Sequence, residues 1–196
     1  MKVSYYPGCS LHGTAKEYDQ SVKTVSRALG VELKEIEDWS CCGATSGHAT
    51  NFKLSVALPA RNLMIAKGEA KEMMVPCAAC FNRFKSAQYH LRHDEALKKE
   101  VEEIVGQKYT PGLDVKSPID ILYNDIGLDA LKAKVVKKLT GLRPVSYYGC
   151  LLVRPPEVCN FEDYENPYML DGILATLGAD VKNWSYKTDC CGGSLS

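Results

Sequence analysis

A chain of 196 residues can bury roughly 70% of the surface its unfolded form exposes, so one domain or two small ones can hold together without covalent staples. Lysine plus arginine and aspartate plus glutamate both number 24, which leaves no net charge and no electrostatic footprint for nucleic acid or anionic lipid. MKVSYYPGC carries no apolar leader core, and no window approaches the ~18 apolar residues of a spanning helix; both predict a cytoplasmic chain without direct membrane insertion.

Short apolar runs alternate with amphipathic patterns along the chain. KVSYY (2–6) predicts a strand. AKEYDQSVKTVSRALG (15–30) predicts a helix with Tyr18, Val22, Val25 and Leu29 on one face and Gly30 as its stop. VELKEIE (31–37) alternates like a strand, and ATNFKLSVALPARNLMIAKG (49–68) is helical with Pro59 inside, which predicts a kink or a break into two. EMMVP (72–76) is a short strand, AACFNRFKSAQYHLR (78–92) a helix, and 92–106 a charged, solvated helix. QKYTPGLDVKSP (107–118) has the composition of a linker, after which 119–141 is helical and closes at Gly141. This order predicts an α/β fold built on a parallel sheet.

The chain also resembles itself. SYYPGCSL (4–11) returns as SYYGCLL (146–152), and LGVELKEIEDWSCCG (29–43) as LGADVKNWSYKTDCCGG (177–193), offset by 141 residues at the first cysteine and 149 at the pair. The expectation is two pseudo-repeated domains, each a small parallel sheet flanked by helices: a first at 1–106, a helical linker at 107–142, and a partial second domain at 143–196.

Nine cysteines are the anomaly of composition, and their odd number without a secretory signal points to metal or redox chemistry rather than disulfides. Cys9, Cys41, Cys42, Cys77 and Cys80 each follow a predicted strand and precede a predicted helix, which gathers them at the carboxyl ends of a parallel sheet. Helix amino termini there favour thiolates. One zinc or one cubane cluster needs four ligands, whereas five sulfurs, two of them adjacent, suit a spread-out multi-iron assembly. Gly43 leaves the backbone free to turn close to it.

The pattern, with PGCSLHGTAKEYDQS, DWSCCGATSGH, LPARN, PCAACFNRF and GCLLVRPPEV, resembles the CCG domain and, across essentially the whole chain, the B-type subunit of heterodisulfide reductase. That resemblance implies an enzyme component of methanogenesis that cleaves the coenzyme M–coenzyme B heterodisulfide, a small-molecule substrate, at noncubane [4Fe-4S] iron-sulfur clusters. It implies partners as well, the iron-sulfur C-type subunit and the flavin-containing A-type subunit of the same reductase. Cys9, Cys41, Cys42, Cys77 and Cys80 match the first ligand set completely, whereas Cys150, Cys190 and Cys191 match part of a second. The expectation is therefore a chain interrupted inside its second CCG domain, with one complete metal site and no reductase activity alone.

Other readings stay open. The five cysteines also suit zinc in aerobically produced protein, or a dithiol site at Cys77 and Cys80. A noncatalytic electron-transfer module, as in subunits related to succinate, fumarate, lactate or glycolate oxidoreductases, uses the same motifs, and a zinc-stabilised domain is a third possibility. His12 and His48, close behind motif cysteines, are candidate proton donors. Arg154 and Lys187 are candidate anion ligands for the substrate, ahead of Lys16, Arg61 and Arg83. Cys159 is off-pattern and reads as a buried structural thiol, with a place as a substitute ligand as its alternative.

Overall fold

The computed structural model describes residues 1–44, 46–66, 68 and 70–193. The chain divides into two compact units, Met1–Ser117 and Pro118–Ser196.

The first unit is built on a four-stranded parallel sheet in the order β2-β1-β3-β4. β1 (Lys2–Tyr5) is central, and its Val3, Ser4 and Tyr5 are buried, as a parallel strand covered on both faces requires. The chain leaves β1 through α1 (Gly8–His12) and α2 (Lys16–Ala28) to reach the edge strand β2 (Glu32–Glu35), whose ELKE sequence keeps charge on an unpaired edge. It then crosses back past β1 through α3 (Gly47–Thr50) and α4 (Phe52–Ala66) to β3 (Glu72–Met74). From there α5 (Ala78–His93) and α6 (Glu95–Val105) lead to β4 (Asp114–Lys116) on the opposite edge. β1 and β3 are neighbours whose outgoing connections run in opposite directions, which makes the space beyond their carboxyl ends a topological switch point.

Several elements differ from the sequence expectation for local reasons. Along α2 the buried positions are Val22 and Ser26, while Tyr18 and Val25 are exposed. Pro59 lies within α4 without ending it; the break falls earlier, at extended Asn51, whose side chain accepts from Leu54 N (3.0 Å) and caps α4. Asp94 caps α6 in the same way through Leu97 N (2.9 Å), separating it from α5. β4 lies inside the stretch that composition assigns to a linker, paired with β3 from Glu72↔Asp114 to Met74↔Lys116.

In the second unit, α7 (Pro118–Asp120) runs into a π-helical turn (Ile121–Ile126), and Gly127 at φ 82 separates it from α8 (Leu128–Ala133). The helical stretch thus stops at Ala133, well short of Gly141. Three short helices follow: α9 (Cys150–Val153), α10 (Pro156–Cys159) and α11 (Met169–Thr176). Their core is Tyr148, Val153, Phe161 and Met169, with Ile119, Tyr123, Leu152, Tyr164 and Leu170 against it. No strand is assigned among the described residues of this unit, but two chain segments lie side by side through Asp180 N to Leu142 O and Lys182 N to Pro144 O, both 2.9 Å.

Candidate metal centre

The five cysteines of the first set all sit at the carboxyl end of the sheet. Cys9 is the second residue of α1, just past β1, Cys41 and Cys42 lie in the loop after β2, and Cys77 caps α5 just past β3 with Cys80 in its first turn. All five are free thiols. Burial grades across them: Cys9 and Cys41 are exposed, Cys77 is half-buried, and Cys42 and Cys80 are 1% and 3% exposed. Cys42 Sγ and Cys80 Sγ are 3.1 Å apart, well beyond the about 2.05 Å of a disulfide bond. The Tyr6 phenol stands within electrostatic reach of four of the five: burial first, and then the charges of Cys80, Cys42, Cys41 and Cys9, hold it above its ordinary range.

The thiols differ in acidity. Cys77 is lowered to about 6, chiefly by the Cys80 thiol, with further help against burial from the N–H groups of Cys80 and Ala79 at the start of α5 and from Ser10. Cys42 is lowered as well, again chiefly by Cys80. Cys80 is pushed far up by Cys42, Cys77 and burial, and Cys41 is raised mainly by desolvation. The Cys80 thiol, itself held protonated, thus favours the thiolate form of Cys77 and, in direction, of Cys42. A cation bound among these sulfurs releases that proton, which couples binding to pH.

Backbone shape leaves room here. Gly8 has φ +69, and a Cβ on it would stand 3.1 Å from Tyr6 Cε1 and 3.3 Å from Cys80 Sγ. Gly43 has φ +73, and its Cβ would meet Leu58 Cδ1 at 2.6 Å. Ser40 Oγ is buried next in sequence to Cys41 with no hydrogen-bond partner. Among the described residues no group of three or more Cys, His, Asp or Glu side chains closes around a single metal ion. The donor set is instead five sulfurs graded from the rim to the interior, and such a set fits a multi-atom cluster.

The loop that carries Cys41 and Cys42 is held by residues that motif spacing did not single out for this role. Asn62 on α4, fully buried, accepts from Ser40 N (2.8 Å) and donates to Ser40 O (2.9 Å) and Leu58 O (3.2 Å). Tyr6 Oη also donates to Ser40 O (2.8 Å). Arg61, a candidate anion ligand by sequence, instead donates to Asp38 O (2.7 Å) and Asp38 Oδ2 (2.5 Å) in the same loop. The signal was present in LPARN, but the partner of Asn62, Ser40, lies 22 residues away in sequence.

The remaining candidates spread over both units. His12 Nε2 is 3.1 Å from Glu35 Oε1, which also accepts from Trp39 Nε1 (3.1 Å), and the His12 and Trp39 rings meet edge to face. His48 is exposed on α3, directly behind the Cys-Cys-Gly loop. Lys16 opens α2, and Arg83 donates to Asn82 Oδ1 (2.7 Å). Arg154 lies over the Tyr164 ring at 5.7 Å. Lys187 is 5% exposed and donates to Asp171 Oδ2 (2.5 Å) and Pro167 O (3.1 Å), so its ammonium is satisfied inside the second unit. Cys150 opens α9, and its thiol is raised by desolvation and then by Cys190; Cys190 and Cys191 are exposed. Cys159 is buried and donates to Arg154 O (3.3 Å).

Residues 3–85 match the model of the CCG family, described as a cysteine-rich domain. Over 194 residues the chain is 30% identical to the 8-methylmenaquinol:fumarate reductase membrane anchor subunit of Wolinella succinogenes, covering 97% of this chain and 67% of that protein. It is 27% identical to a protein of Archaeoglobus profundus named as similar to the B-type subunit of heterodisulfide reductase, covering 98% of this chain and 66% of the relative. Identity is 25% to the B-type subunit of a ferredoxin/F(420)H(2)-dependent CoB-CoM heterodisulfide reductase of Methanosarcina acetivorans, covering 97% and 65%. The chain thus spans about two thirds of the length of these curated relatives.

Proposed function

This chain belongs to the CCG cysteine-rich family, and from that premise we infer that it is an iron-sulfur electron-transfer module of a larger oxidoreductase. The observation that carries the inference is the gathering of five free thiols at the switch point of the sheet, two of them 3.1 Å apart. Cys42, Cys77 and Cys80 are the interior ligands, and Cys9 and Cys41 complete the set at the accessible rim. A noncubane [4Fe-4S] cluster bound there supplies electrons one at a time.

The finer proposal is reduction of a disulfide, with the coenzyme M–coenzyme B heterodisulfide as substrate and the flavin-containing and iron-sulfur subunits of a heterodisulfide reductase as partners. The similarity to B-type subunits over nearly all of the chain supports it. Two electrons and two protons convert a disulfide into two thiols. Exposed Cys9 and Cys41 leave the rim open to a substrate sulfur, and His12 or His48, each within six residues of a motif cysteine, donates a proton to a leaving thiolate. The 30% identity to a component of a fumarate reductase favours a second reading, an electron relay without disulfide chemistry.

Cys150, Cys190 and Cys191 are proposed as part of a second, related site. Support comes from repeated local geometry. Gly8 and Gly149 share φ +69 and +68, Gly43 and Gly192 share φ +73 and +78, and Gly43 N to Cys41 Sγ and Gly192 N to Cys190 Sγ are both 3.4 Å.

Anaerobic reconstitution with iron and sulfide followed by EPR tests these readings. A signal that changes on addition of a thiol supports the reductase, and a signal indifferent to thiols supports the relay. Stoichiometric zinc with no uptake of iron sinks both.

A further inference from the structure

We propose that Asn62 is the positioning residue that sets Cys41 and Cys42 in the crevice, a role that deepens, and rests on, the cluster-binding function proposed above. β2 ends at Glu35 and α3 begins at Gly47, so the two cysteines ride on a long irregular segment. Such segments are mobile unless their backbone groups are tied down. Here one side chain binds both backbone groups of the residue before Cys41. Asn62 Oδ1 takes Ser40 N–H at 2.8 Å while Nδ2 reaches Ser40 O at 2.9 Å, reproducing within a single amide the paired bonding of a β-ladder.

The third bond fixes the amide itself. The second proton of Nδ2 goes to Leu58 O at 3.2 Å, one turn back on α4, so exchanging the amide oxygen and nitrogen would leave all three contacts mismatched. Asn62 is fully buried, Ser40 is half-buried, and without the amide Ser40 N–H loses its protein acceptor on this helix. The same helix secures the loop at two more points, Arg61 on Asp38 and Leu58 against Gly43 and Gly47. Asn62 stands at the centre of that face, and Ser40 is bonded directly to Cys41. Cys42, one residue further, is thereby delivered to within 3.1 Å of Cys80.

A merely structural amide would loosen the whole sheet when removed, whereas a positioning amide frees the loop alone. In the metal-free full-length chain, Asn62→Ala is expected to raise alkylation of buried Cys42 about tenfold, in keeping with the loss of the two bonds to Ser40, with exchange of the β1 and β3 amides unchanged. Asn62→Asp keeps the shape and the acceptor for Ser40 N–H while removing both donated bonds, and is expected to move Cys42 in the same direction, so it carries the test where the alanine variant fails to fold. Cys42 protection that survives both variants, or sheet exchange that rises in step with it, overturns the proposal. After reconstitution, the variant EPR signal should shift relative to that of the unaltered chain. If the unaltered chain takes up no iron, the cluster assignment falls, and the alkylation and exchange data still decide whether Asn62 positions the loop.

Discussion

The two Cys-Cys-Gly segments share a backbone and differ in their surroundings. In each, a glycine N–H points to the first sulfur of the pair at 3.4 Å, and a tyrosine hydroxyl donates at 2.8 Å to the carbonyl just before the pair: Tyr6 to Ser40 in the first unit, Tyr147 to Asp189 in the second. Yet Tyr6 is buried and Tyr147 exposed, and Cys42 is buried where Cys190 and Cys191 are exposed. Local sequence therefore sets the turn, while burial of the thiols comes from elements that arrive from elsewhere in the first unit: α4 through Asn62, and the start of α5 through Cys77 and Cys80. The comparison also aligns the units by role. Tyr6 corresponds to Tyr147, one position off the letter-by-letter match of SYY with SYY, because Pro7 has no counterpart before Gly149.

If burial is what makes a complete site, the largest contrast is in metal uptake. Cys42→Ser should abolish incorporation of iron on reconstitution, whereas Cys191→Ser should leave the iron content of the chain unchanged. Equal losses would mean that the two segments contribute alike.

Removing a buried cation comes next. Lys187→Ala leaves the Asp171 carboxylate without its ammonium partner, and should destabilise the second unit by about 3 kcal/mol in urea unfolding. A neutral effect would return Lys187 to the pool of available anion ligands.

The paired glycines sharpen the contrast further. Gly8→Ala and Gly149→Ala both force a side chain onto positive-φ backbone, at a cost of about 1–3 kcal/mol each. Only Gly8 adds a crowded contact, 3.1 Å from Tyr6 and 3.3 Å from Cys80, against 3.5 Å from Tyr147 at Gly149. The urea midpoint should therefore fall more for Gly8→Ala.

The smallest effect is in thiol reactivity. In the metal-free chain, alkylation of Cys77 should be half-maximal near pH 6, whereas Cys150, raised by desolvation, should react only in more alkaline solution. The accompanying stability has a definite sign. A depressed Cys77 thiol contributes stability that is fully present above the ordinary value of 9.0 and is lost as pH falls through about 6.

Much of the first unit was legible because β1 and β3 carry short buried apolar runs, β2 alternates, and each cysteine cluster follows one of these strands. β4 was not, since three residues in a stretch rich in proline and glycine carry no period of their own and become a strand only by pairing with β3. Pro59 suggested a break in the long helix, but the capping side chain of Asn51 determines where it falls. Spacing pointed to the candidate cysteines, whereas the side chains that hold the loop before Cys41, Asn62 and Tyr6, act across distances in sequence that no local pattern records.

Counting iron and acid-labile sulfide on the anaerobically reconstituted full-length chain tests the central claim most directly. The account predicts about four of each per chain, consistent with one complete cluster, all of it lost in Cys42→Ser. A single zinc per chain, or iron retained without Cys42, would contradict it.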